Sequence, residues 1–149
     1  MKVLYVILLL ILLVVVVAVM LSGSVSGMGE EIKLFIQEPW LTEIIEGRKT
    51  VEGRAAPKDN FSNWIGKTIT VLDKHKSAEV KVVDVKHYNT LREYLDSEWE
   101  NAAPHAKSKE EAEKLYHDIY YNKNGKKVQV FSDERVLDRG GIEALVLEK

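Results

Sequence analysis

From Glu46 to Arg54 the chain reads Glu-Gly-Arg-Lys-Thr-Val-Glu-Gly-Arg. Arg48, Lys49 and Arg54 can donate to phosphate or carbonyl oxygens, and Arg54 offers a planar fork suited to a phosphate or a base edge. Glu52 can accept from an exocyclic amine or hold Arg54 in place. Gly47 and Gly53 permit backbone that other residues adopt poorly. Opposite charges on a short, glycine-bounded segment mark the wall of a cleft for a polar ligand. The ordinary alternative is a solvated edge whose ion pairs contribute little. On a regular strand Lys49, Val51 and Gly53 share one face, while Thr50, Glu52 and Arg54 share the other. Lys49 and Glu52 then meet only if the chain twists or bulges.

Other chemistry has weaker support. No cysteine is present, so thiolate nucleophiles, disulfides and zinc-thiolate sites are excluded. His75, His87, His105 and His117 show no ligand spacing with carboxylates, and neither metal nor cofactor is expected. Trp40 and Trp99 fall on apolar helical stripes and are expected in the core. Trp64 is the candidate to stack a base. Asn60-Phe61-Ser62 is a glycosylation sequon only in a lumenal context. The charges Asp133, Glu134, Arg135, Asp138 and Arg139 are expected to be a solvated run. A formal net charge of −2 over 149 residues excludes a general polyanion binder, so any nucleic-acid contact must be local.

The elements that position the charged segment follow from periodicity. Ile32–Ile36 alternates as a strand. Trp40, Leu41, Ile44 and Ile45 recur at helical spacing after Pro39, and Gly47 stops that helix. Thr68–Leu72 and Val80–Val85 are strands joined by the turn Asp73–Ser77. Thr90-Leu91-Arg92-Glu93 and Ser108-Lys109-Glu110-Glu111 are capping boxes opening two helices, with Pro104 in the link. Ala55–Ile65 and Asn122–Lys127 are expected loops, and Val128–Phe131 and Ile142–Leu147 are expected strands. Together they predict an α+β fold: a small, strongly curved sheet or barrel decorated by helices.

Residues 1–21 are expected to be a transmembrane anchor and 22–29 a flexible tether, with the folded domain over 30–149. From Val3 to Leu21 every residue is apolar or aromatic. As a helix that run is roughly 28 Å long, close to the ~30 Å hydrocarbon core of a bilayer. A cleaved signal peptide has a shorter core, and a buried helix is the remaining alternative. The chain is thus expected to be a single-pass membrane protein contacting the bilayer through residues 3–21. Lys2 ahead of the span favours a cytosolic amino terminus.

The spacing Gly47-x-Lys49-x-x-Glu52-x-Arg54 resembles the hallmark of the ASCH domain (activating signal cointegrator homology), a relative of the PUA RNA-binding fold. Trp64-Ile65-Gly66-Lys67-Thr68-Ile69 resembles its Trp…Gly-Asp segment, with Lys67 where an acid is usual. Tyr94 to Glu100, Pro104 and Ser108 to Tyr120 resemble the two-helix insertion of viral and archaeal-type members. The resemblance covers Ile32 to Leu147. It implies a PUA-like β-barrel whose cleft takes RNA, a nucleotide or a modified nucleoside, with Gly47, Arg48, Lys49, Glu52, Arg54 and Trp64 as ligand-binding residues. Some bacterial members are amidohydrolases that deacetylate N4-acetylcytidine with a lysine, a threonine and a glutamate. Their lysine matches Lys49, but their threonine falls on Glu52. Thr50 is the available substitute, and Glu98 or Glu100 stands near the glutamate. A hydrolase would therefore use Lys49, Thr50 and Glu100. The departure at Glu52 favours a binding module, and a third class, a protein-interaction module, would show an apolar patch near Phe61 and Trp64.

Overall fold

In Thr-Ile-Thr-Val-Leu, alternation sends Ile69 and Val71 to one side, and both are buried. This strand is β3 (Thr68–Leu72), seen in a computed structural model that describes residues 29–55 and 61–149. The short β1 (Lys33–Phe35) lies parallel to it on one side. On the other side is the antiparallel β4 (Ser77–Tyr88), reached through a turn in which Asp73 accepts from the amides of His75 and Lys76. β4 outruns the expected Val80–Val85 because a register shift between Val82 and Asp84 lets pairing continue to Tyr88. It pairs with β7 (Ile142–Glu148), which pairs in turn with β2 (Val51–Ala55). The result is a five-stranded mixed sheet in the order β1-β3-β4-β7-β2, with β1 and β2 at its two edges.

The helices are placed by their caps. After a cis Glu38–Pro39 peptide, α1 (Trp40–Ile45) buries Trp40, Leu41 and Ile44. Gly47 ends it at φ +75°, where the Gly47 amide donates to Ile44 O and the Arg48 amide to Glu43 O. Between β4 and the next strand lie α2 (Leu91–Ala102) and α3 (Lys109–His117). Thr90 Oγ1 accepts from the Glu93 amide at 3.1 Å and Ser108 Oγ from the Glu111 amide at 3.2 Å. Each glutamate reaches back to the residue before the cap, Asn89 or Lys107. Leu91, Tyr94 and Leu95 of α2 and Ala112 and Tyr116 of α3 join the core.

One segment departs from the sequence expectation, and a second, the exposed charge run, gains a helix. Asn122–Lys127 is not a loop: β5 (Tyr120–Lys123) and β6 (Lys126–Gln129) form a separate antiparallel hairpin. Its tip is Asn124-Gly125, with φ +53° and +80°, the left-handed backbone that a two-residue hairpin turn demands. The charges at 133–139 are largely a helix, α4 (Asp133–Asp138), capped by Ser132 and anchored by buried Val136. With Val136 buried and its neighbour Leu137 exposed, so short a helix leaves no stripe to detect.

The expected transmembrane span over residues 3–21 lies outside the described residues. Among the described residues no helix is long and apolar enough to cross a membrane. That finding corrects the single-pass membrane localisation and, with it, the lipid-bilayer partner.

Candidate site at the open seam of the sheet

β2 begins at Val51, so Lys49 precedes the strand and escapes its alternation. Lys49 is 1% exposed. Its Nζ donates to Val51 O and Ala102 O, each at 2.6 Å, and lies 3.2 Å from Glu52 Oε2 and 5.1 Å from the Trp40 ring centroid. The Thr50 amide donates to Asn101 O at 3.0 Å. Asn101 and Ala102 close α2, whose last carbonyls have no partner within the helix. The Lys49 cation therefore caps the negative end of α2. Burial pulls its pKa below the usual lysine range, and Glu52 opposes the shift.

Glu52 and Arg54 share a face of β2, as alternation requires. Glu52 Oε1 takes an ion pair from Arg54 Nη2 at 2.9 Å, while Oε2 faces Lys49. Arg54 Nη2 also donates to Phe35 O on β1 at 2.8 Å. Arg54 thus spans the gap between the two sheet edges. Its Nε is buried without a hydrogen-bond partner among the described residues. Gly53 faces α2: a Cβ there would lie 2.7 Å from the Tyr94 ring.

The seam holds a cavity of about 230 Å³. Glu52, Gly53 and Arg54 form one wall, Phe35, Ile36, Gln37 and Trp40 another, and Tyr116, Ile119, Tyr120, Tyr121, Val130 and Phe131 complete it. Ring centroids step from Trp40 to Tyr116 at 5.4 Å and from Tyr116 to Phe131 at 4.9 Å. The Tyr116 hydroxyl meets that of Tyr94 at 2.8 Å, and burial raises both phenol pKa values, keeping them protonated. Aromatic walls with one carboxylate and one guanidinium suit a planar heterocycle bearing both donors and acceptors.

The other predicted residues lie elsewhere. Gly47 shapes the end of α1. Arg48 points to Glu46 and to buried Glu43, which also binds His105 Nδ1 at 2.9 Å. Trp64 sits edge-on to Phe61 at 4.6 Å, away from the cavity lining. Glu100 is exposed, and no hydrogen bond or ion pair joins it or the Thr50 side chain to Lys49 among the described residues. Glu98 is buried in a different cluster, accepting from Lys86 Nζ at 2.7 Å and Tyr88 OH at 2.6 Å. No group of three or more His, Asp or Glu side chains among the described residues could hold a metal ion. Sequence reasoning missed the aromatic wall, although Tyr116, Tyr120, Tyr121 and Phe131 are dense enough to have been a signal.

The protein-family model described as the ASCH domain matches residues 34–133. Two solved structures share the fold. The crystal structure of hypothetical protein PH0355 is 27% identical over 79% of this chain and 97% of its own, with a TM-score of 0.59. The solution NMR structure of protein PF0455 from Pyrococcus furiosus is 26% identical over 79% of this chain and 96% of its own, with a TM-score of 0.56. No curated protein matches the chain.

Proposed function

This chain belongs to the ASCH domain family, and from that premise we propose that it binds one base of an RNA, a nucleotide or a modified nucleoside in the seam between β1 and β2. The reading rests on one observation: the Glu52–Arg54 ion pair lies in the wall of a small, aromatic-lined cavity. Drug-sized ligands occupy pockets of roughly 300–1,000 Å³, so a cavity of about 230 Å³ suits one base, not a run of them. Arg54 donates to the acceptors of the base or an adjoining phosphate, and Glu52 accepts from an exocyclic amine. Trp40 and Tyr116 supply faces for stacking. Lys49 is a positioning residue: it holds Glu52 and ties β2 to α2 without touching the ligand.

Trp40 lies in the cavity wall, so tryptophan emission reports occupancy. Titrating the chain with cytidine, N4-acetylcytidine and a short RNA should give a saturable change with at least one of them. Arg54→Ala should raise its Kd about tenfold or more, the equivalent of one charge-assisted hydrogen bond. No saturable response up to millimolar ligand, or an unchanged Kd in Arg54→Ala, overturns the reading.

A further inference from the structure

The cavity rim continues into the β5–β6 hairpin, through Tyr120 and Tyr121. That hairpin carries Lys123, Lys126 and Lys127, and no acidic residue stands between Ile119 and Ser132. The concentration of positive charge is local, because the whole chain is at net −2. Lys123 and Lys126 are directly opposite each other in the ladder. Like charges in that position cost stability unless an anion lies between them. None of the three lysines has an ion-pair partner among the described residues. At the root of the hairpin a fourth cation, Arg135, lies over the Tyr121 ring at 4.9 Å.

The rim is also where large aromatics meet solvent. Phe35 is 59% exposed and Tyr120 47% exposed, although both line the cavity. By strand alternation Lys123 and Lys126 share the face of Tyr121, about 7 Å along the strand from it, and Lys127 shares that of Tyr120, so both rim tyrosines lead to a cation. A nucleoside seated between Glu52 and Tyr116 ends at the rim and leaves these lysines without a partner. A strand of nucleotides places phosphates beyond the rim and bases beside Phe35 and Tyr120, the combination of cationic track and stacking surface that holds single strands.

We infer that the β5–β6 hairpin is a basic arm gripping the phosphate backbone of a single-stranded RNA, one base of which enters the seam cavity. This rests on the cavity being the base-binding site. The test is a pair of titrations of the full chain, with an RNA hexamer and with the matching free nucleoside, across a series of salt concentrations. The hexamer should bind at least tenfold more tightly than the nucleoside. In the variant Lys123→Gln/Lys126→Gln/Lys127→Gln that advantage should vanish while nucleoside affinity holds. Each phosphate contact on a single strand contributes about −0.7 to the salt slope, so the variant should shallow the slope by about 2. An unchanged hexamer affinity and slope, with the nucleoside still bound, overturns the arm and spares the cavity. Hexamer binding that survives Arg54→Ala but drops in the lysine variant places RNA on the lysines without a seated base, and overturns both the cavity reading and the inference that rests on it. If neither ligand binds, both readings fall.

Discussion

Lys49 has the residue type of a ligand contact and the location of a structural cap. Its ammonium satisfies Ala102 O and Val51 O and faces Glu52, all out of water. A buried cation is costly unless it is paired and hydrogen-bonded, and here three oxygens surround it. Lys49→Met would leave two carbonyls and part of Glu52 without their donor, and should lower unfolding free energy by about 3 kcal/mol in urea. The same burial gives a pH signature. The folded-state pKa of Lys49 is lowered, so between that value and about 10.4 the unfolded chain holds the extra proton. The Lys49 contribution to stability must then rise with pH through that window. The difference between wild type and Lys49→Met should widen as pH rises there; a constant difference would mean that folding does not lower the Lys49 pKa. This role was invisible in the sequence, because the carbonyl it serves stands 53 residues away. The pairing of Glu52 with Arg54 was visible, since a period of two needs only two residues.

Among the elements, legibility followed local chemistry. β3 and the starts of α2 and α3 declare themselves, through strict alternation in one case and Ser or Thr followed by Glu in the others. The β5–β6 hairpin did not, because its lysines and asparagines have low strand propensity and its Asn-Gly turn lacks apolar alternation on both sides. The contact of β2 with α2 lies between these cases. In the sequence Gly53 stands out for backbone freedom, but its function is close approach: there is no room for a methyl group against Tyr94, which is itself 0% exposed and bonded to Tyr116. Gly53→Ala must displace the buried Tyr94 ring and its bond to Tyr116, at a cost of about 1–3 kcal/mol for overpacking. Thermal unfolding should show the loss, and combining it with Tyr94→Leu should give less than the sum of the two single changes. Strict additivity would place the strain elsewhere.

At the level of the whole molecule the site exists because of sheet order. Phe35 and Arg54 belong to β1 and β2, the two ends of the strand order, and the hydrogen bond from Arg54 to Phe35 O brings those edges together. Periodicity identifies strands and their buried faces but does not say which edges end beside each other, so the charges of residues 47–54 were legible and the aromatic residues set against Glu52 and Arg54 were not. The Arg54 side chain is the link across that seam, and a ligand in the cavity touches both edges at once. Ligand occupancy should therefore stabilise the unit Ile32–Lys149 as a whole. At a free ligand concentration one hundred times its Kd, linkage gives about 2.7 kcal/mol of added stability. Urea unfolding with and without the tightest of the tested nucleosides or RNAs measures this gain, and hydrogen exchange should slow in β1 and β2 together. Arg54→Ala, compared at the same absolute ligand concentration, should lose about half of that gain, since a tenfold weaker Kd removes roughly 1.4 kcal/mol. Slowed exchange in β2 alone would mean that the ligand does not close the seam.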